Sequence, residues 1–276
     1  MARKLLIEPS TLFKVLTGDR IRIIDARGRA AYERDHIPEA VCLSPAELDD
    51  SITLSNGEEV PNMLLDEGRA CELFQSAGID SDSTVVVYDE GGSYLASRLW
   101  WALDYFGHPD VRVLDGGMRA WRSNVGLLSP QQQRIQRGSF LPIADESKTA
   151  DFTYLLLGLN CRTKVVCNSL PVEEFARGAI PGSTNLPYVR TFRVTRYPVM
   201  REPEDLVRVF AQAGIAPNME CIFYCGCGYS AAHNAFAARL AGFRRVRVYD
   251  GSLQDWQRRG GQLLPWGVVG TEGRSS

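Results

Sequence analysis

The feature that most constrains this chain is that its motifs occur twice, in the same order. Ile23-Ile-Asp25, with Tyr32 and Ile37-Pro38, returns as Val166-Cys-Asn168 with Phe175 and Ile180-Pro181. Phe74-Gln-Ser-Ala-Gly-Ile79 returns as Phe210-Ala-Gln-Ala-Gly-Ile215, and Val85-Val-Val-Tyr-Asp89 as Cys221-Ile-Phe-Tyr-Cys225. Val111-Arg-Val-Leu-Asp-Gly116 returns as Val246-Arg-Val-Tyr-Asp-Gly251, each followed at equal distance by a tryptophan, Trp121 and Trp256. The offset falls from 143 to 136 and then to 135 residues, so the second copy is shortened in its loops. A period of half a 276-residue chain is too long for a solenoid and predicts two homologous domains.

Each copy alternates strand and helix. Val85 to Tyr88 is a short β-branched run of the kind buried in a parallel sheet, and a turn leads to a helical stretch from about Ser93 to Phe106. Val111 to Leu114 follows as a strand. The second copy gives Ile222 to Tyr224, a helix from about Tyr229 to Leu240, and Val246 to Tyr249. Strands joined by helical crossovers imply an α/β fold, with parallel sheets flanked by helices. Residues 126–150 carry Gln131-Gln-Gln133, serines and prolines without strong periodicity. They read as a surface linker between a domain over 1–125 and another over 151–276.

Composition narrows the function. Hydrophobic residues are 45% and charged residues 23%, enough for a large core, and the net charge of −2 argues against a protein built to neutralise nucleic-acid phosphates. No apolar run approaches the ~20 residues that span a bilayer, so no membrane partner is expected. Met1 to Ser10 holds two basic residues and only a few apolar ones before Glu8 and Pro9, which does not read as a secretory signal. Seven cysteines, an odd number, are expected as reduced thiols in a cytoplasmic protein.

The chemistry concentrates in one loop. In an open α/β sheet, ligands bind beyond the carboxyl ends of the strands. There the chain reads Cys225-Gly226-Cys227-Gly228-Tyr229-Ser230, followed by an Ala-rich helix. Two glycines let the backbone turn its N–H groups inward, and the helix start adds unpaired donors and partial positive charge. Such a cradle favours a thiolate over a thiol, as a nucleophilic cysteine requires. A metal set of Cys221, Cys225, Cys227 and His233 fits no standard spacing, so neither metal nor cofactor is expected. His233 reads as a packed helix residue, His108 as a helix-end residue and Trp100-Trp101 as core or interface packing.

With Asp25-Ala26-Arg27, His36-Ile37-Pro38, Asp115-Gly-Gly117, Tyr249-Asp-Gly-Ser252 and the Cys-Gly-x-Gly loop in place, the chain resembles the two-domain rhodanese-like sulfurtransferases over nearly its whole length. That resemblance implies two tandem rhodanese-like domains, of which only the second is catalytic. Asp89 takes the place of Cys225 in the first, and a carboxylate cannot form a persulfide. It further implies that Cys225 takes a sulfane sulfur from a small anionic donor, thiosulfate or 3-mercaptopyruvate. The resulting persulfide would be held by the loop from Gly226 to Ser230 and passed to a thiol, cyanide or a protein acceptor. His36 and Arg177 are candidate substrate-binding residues, although for His36 a turn-stabilising hydrogen-bond donor is the simpler reading.

The sequence also departs from the family pattern. Glu174 stands where an arginine usually precedes the aromatic residue, a donor-binding turn is absent around Ala176-Arg177-Gly178, and Asn168 replaces an aspartate. Arg190, Arg193 and Arg196 are candidate substitutes. These departures motivate an alternative, a sulfur carrier or sensor with little turnover of small donors. A phosphatase with a Cys-x5-Arg loop is excluded, because the residue six after Cys225 is Ala231.

Overall fold

The computed structural model describes residues 5–18, 20–159 and 161–265. The start of the chain read for a signal, and the end of the expected second domain, lie outside the described residues. The first half runs β1 (Leu6–Ile7), α1 (Pro9–Lys14), β2 (Ile21–Asp25), α2 (Arg29–Arg34), β3 (Ala40–Cys42), β4 (Asp49–Thr53), β5 (Glu59–Leu64), α3 (Glu67–Ser76), β6 (Thr84–Tyr88), α4 (Tyr94–Tyr105), β7 (Val111–Leu114) and α5 (Gly117–Asn124). The second runs β8 (Thr149–Ala150), α6 (Phe152–Gly158), β9 (Lys164–Asn168), α7 (Val172–Arg177), β10 (Thr184–Asn185), β11 (Phe192–Val194), β12 (Pro198–Met200), α8 (Pro203–Gln212), β13 (Glu220–Tyr224), α9 (Tyr229–Leu240), β14 (Val246–Tyr249) and α10 (Ser252–Arg258).

The two main sheets are copies of each other. Their orders, β1-β7-β6-β2-β3 and β8-β14-β13-β9-β10, correspond strand for strand, and every pairing in them is parallel. The central strands β6 and β13 are buried on both faces, which is why they read as unbroken apolar runs. Each half adds an antiparallel hairpin, β4–β5 and β11–β12. The hairpins explain the changing offset. The first spans Asp49–Leu64 and the second only Phe192–Met200, which removes the seven residues by which the offset falls from 143 to 136.

The expected linker is corrected at one end. Up to Asp145 it lies along the first half, tied by backbone bonds to Gln75, Ile79, Tyr105 and Phe106. Thr149 and Ala150, expected in the linker, are instead the edge strand β8, because they continue the second sheet beside β14. His36 takes the simpler of its two expected roles, as a hydrogen-bonding residue of its turn. It is fully buried, stacked on Tyr32 at 3.9 Å, with its ring nitrogens 2.8 Å from the Tyr32 carbonyl and 3.0 Å from the Gln131 carbonyl. Its backbone pairs with Ser129, so it fastens the linker.

One apolar core joins the halves. It collects Leu99, Trp100 and Trp101 from α4 with Ala231, Ala235 and Phe236 from α9, and Trp100 meets Phe236 edge-on at 4.9 Å. The α9 helix is buried almost all round, which its alanines permit by letting its sheet and α4 approach closely. Separate clusters fill the outer faces, around Trp121 in the first half and Trp256 in the second.

Candidate active site

Strand β13 ends at Tyr224 and delivers Cys225, 2% exposed, to the turn before α9. The Gly228 N–H donates to Cys225 Sγ at 3.1 Å. Gly228 sits at φ +88°, where a side chain is disfavoured, and a Cβ there would lie 2.8 Å from Asp250 Oδ1. The turn after β14 clamps the loop from the other side. The Cys225 N–H donates to Ser252 Oγ at 3.0 Å, Leu253 N–H to the Cys225 carbonyl at 3.1 Å, and Gln254 N–H to the Gly226 carbonyl at 3.3 Å. Ser252 Oγ also lies 3.9 Å from Sγ. Ser252 is held at φ +52°, costly for a residue with a Cβ and tolerated where the surroundings over-determine it.

The first half shows what such a turn can hold. Asp89, at the place corresponding to Cys225, receives N–H donors from Gly91 (2.9 Å), Ser93 (3.2 Å), Leu95 (3.0 Å) and Ala96 (3.2 Å) on its two carboxylate oxygens. Burial raises its pKa, and these four bonds oppose the rise. The Asp89–Tyr94 turn is one residue longer than Cys225–Tyr229, which accounts for the last step in the offset, from 136 to 135.

The first half also contributes to the environment of the thiol. Tyr94 stacks obliquely near Tyr229 (5.7 Å) and Tyr188 (5.9 Å). Its phenol is pushed up to about 12, first by burial and then by the nearby Cys227 and Cys225 thiols. Cys227, half-buried, is raised by burial and by Cys225, against an opposing pull from Arg98. Arg98 of α4 is fully buried, with Nη1 on Asp250, and Nη2 3.2 Å from Asp49 Oδ1 and 3.1 Å from the Asn62 carbonyl. Asp49 Oδ2 accepts from Tyr229 Oη at 2.5 Å.

The pattern of the Rhodanese-like domain matches residues 9–124 and 159–259. The chain belongs to the rhodanese-like sulfurtransferases. It is 27% identical over 260 residues to the 3-mercaptopyruvate sulfurtransferase of Escherichia coli (strain K12), covering 87% of this chain and 90% of the relative. The probable 3-mercaptopyruvate sulfurtransferase of Pseudomonas aeruginosa is 32% identical over 241 residues, covering 83% and 84%. The thiosulfate sulfurtransferase of Cricetulus griseus is 28% identical over 261 residues, covering 87% and 86%. The crystal structure of SseA, a 3-mercaptopyruvate enzyme from Escherichia coli, superposes with a TM-score of 0.81 at 26% identity, covering 90% of this chain and 98% of that one.

Within this rhodanese-like framework the expected site residues separate. Cys225 to Ser230 form one turn and helix start, as expected. Arg177 is exposed at the carboxyl end of α7 and is not among the residues framing Cys225, and His36 belongs to the linker contact. Sequence reasoning missed Ser252, Asp250, Asp49, Arg98 and Tyr94. For Arg98 a signal was available, a lone cation inside the apolar run Leu95–Leu103. Asp49 carries no local signal, because only the hairpin brings it to α4 and α9. No metal-holding group of His, Cys, Asp or Glu occurs among the described residues. No described helix is long and apolar enough to cross a membrane.

Proposed function

We propose that this sulfurtransferase works through a persulfide on Cys225. The observation that carries the reading is the Asp89 turn. Each carboxylate oxygen is separated from its backbone by as many bonds as the outer sulfur of a cysteine persulfide, and two N–H groups meet each oxygen there. The corresponding donors of the second half are at the start of α9, where the first N–H groups have no partner within the helix. Gly228 N–H already holds Sγ, which leaves Ser230 and Ala231 to receive the outer, negatively charged sulfur.

The chemistry balances simply. The Cys225 thiolate attacks the sulfane sulfur of the donor, a Cys225 S–S bond forms, and the donor's bond to sulfur breaks. Thiosulfate leaves as sulfite, and 3-mercaptopyruvate as pyruvate once its enolate is protonated. An acceptor thiolate or cyanide then attacks the outer sulfur, taking it as a persulfide or thiocyanate and returning Cys225 as thiolate. No metal or cofactor is needed in either step. Seven free thiols suit a reducing compartment such as the cytoplasm.

The test is intact mass after incubation with thiosulfate or 3-mercaptopyruvate, followed by peptide mapping. The expected result is a gain of one sulfur on the peptide containing Cys225, abolished by Cys225→Ser with the fold unchanged. Sulfur on Cys42 or Cys71, or transfer that survives Cys225→Ser, refutes the reading. The exposed Glu174, standing where the family usually carries an arginine, favours a second reading, a carrier that loads once and turns over slowly with small donors. Loading without multiple turnover distinguishes the two.

A further inference from the structure

The half without a nucleophile places one charge beneath the sulfur loop. Arg98 lies under Gly228, since a Cβ built on that glycine would stand 2.9 Å from Arg98 Nη1 and 2.8 Å from Asp250 Oδ1. Gly228 in turn holds Cys225 Sγ. The arginine is kept at a cost. It is completely buried, and its Nε has no hydrogen-bond partner among the described residues. Packing alone would be met by an apolar side chain, as it is in the neighbouring Leu99 and Trp100.

The internal duplication supplies an independent comparison. The residue of α9 corresponding to Arg98 is His233, and the residue of β11 corresponding to Asp49 is Phe192. His233 is buried between Thr191 Oγ1 at 2.8 Å and Ser97 Oγ at 3.4 Å, with burial holding it down to about 4 and so uncharged near neutrality. Asp250 and Asp115 correspond and keep the same task. Asp250 Oδ2 accepts Leu64 N–H at 2.8 Å and Asp115 Oδ1 accepts Met200 N–H at 2.9 Å, each from the other half's hairpin. The two halves thus share the hairpin-docking aspartate. Among the described residues, only the one beside the reactive loop is bonded directly to an arginine, whereas Asp115 feels Arg193 through space alone.

We propose that Arg98 is a positioning residue for sulfur transfer, which neutralises Asp250 and Asp49 beneath Gly228 so that the loop can hold an anionic sulfur. The proposal rests on the persulfide reading above. Without the guanidinium, the Asp250 carboxylate would stand bare against the glycine whose N–H binds Sγ, and its field would oppose a thiolate or persulfide. Sulfur loading would also depend on docking of the first half, since the charge comes from α4. Among the described residues, the other ionisable groups around this loop are Cys227 and Tyr229 from the loop and its helix, Tyr94 from α4, which feels both thiols, Tyr188 beside Tyr94, and Asp49, which acts on Cys227. Burial raises Tyr94 and Tyr229, which keeps both neutral through the range of the experiment.

The experiment measures the pH dependence of iodoacetamide labelling of Cys225 in the full chain, resolved by peptide mass, together with sulfur loading from both donors. In Arg98→Gln the half-rise of labelling is expected about one pH unit higher, with loading near neutrality reduced about tenfold. Arg98→Lys restores most of both. Arg98→Gln combined with Asp250→Asn restores the labelling profile, and Asp49→Asn alone moves it the opposite way, to lower pH. A purely structural arginine predicts neither the opposite sign nor the rescue. If Arg98→Gln does not fold, the Lys, Asp49→Asn and double variants decide the matter. An unchanged labelling profile in folded Arg98→Gln, or an Asp49→Asn shift to higher pH, overturns the proposal. Failure of the wild-type chain to gain sulfur on Cys225 would instead overturn the persulfide reading itself.

Discussion

At the scale of single residues, the sulfur loop is built by exclusion as much as by attraction. Gly228 is required twice, by its φ of +88° and by the Arg98–Asp250 pair that a Cβ would strike. Gly228→Ala is therefore expected to destabilise the protein by about 2 kcal/mol and to lose most sulfur transfer, measured by urea unfolding and donor assay. Cys227, a second thiol in the loop, is half-buried beside Cys225. Under mild peroxide, Cys225 oxidised to a sulfenic acid is expected to condense with Cys227, releasing water and forming a disulfide that a dithiol reopens. Differential alkylation tests this: wild type recovers activity with dithiol, whereas Cys227→Ser accumulates sulfinic or sulfonic acid on Cys225. Equal, irreversible loss in both proteins would make Cys227 a spectator.

At the scale of elements, each half docks a hairpin backbone N–H on the other half's aspartate, but in different electrostatic settings. Asp250 has Arg98. Asp115 is bonded to no arginine among the described residues, and burial, with Glu8 adding to it, pushes it up to about 6 against the Met200 N–H and a weaker pull from Arg193. The folded state therefore holds the Asp115 proton more tightly than the unfolded chain does. The stability this confers is fully present below the ordinary aspartate range, near 4, and is lost as pH rises through about 6. Asp115→Asn keeps an oxygen for Met200 N–H without the charge. It is expected to gain about 1–2 kcal/mol over wild type at pH 8 and little at pH 4, measured by unfolding at both values. A similar compensation appears at the strand ends. Asp25 is paired with Arg27 in the first half, while the second half has Asn168 and Leu170, so charge and partner have changed together.

At the scale of the molecule, the shared core between α4 and α9 is expected to make the two halves unfold as one unit. Trp100→Ala is expected to cost about 3–5 kcal/mol and to split a single urea transition into two, followed by circular dichroism and tryptophan fluorescence. A single transition at an unchanged midpoint would show that the halves are not coupled through Trp100. The duplication, the alternating elements, the parallel sheets and the Cys225 loop were all readable in the chain, because they rest on local order: apolar runs of strand length, glycines where a turn must tighten, and motifs recurring at a nearly constant offset. The sequence alone also determined that the first copy carries a carboxylate where the second carries a thiol. Only the tertiary structure decided what surrounds that thiol. Arg98 and Asp49 come from the other half, 127 and 176 residues before Cys225, and Ser252 from the turn after β14. The fate of His36 depended on a linker with no periodicity to read. Pairings of that kind follow from how two finished domains pack, and no local pattern of residues records them.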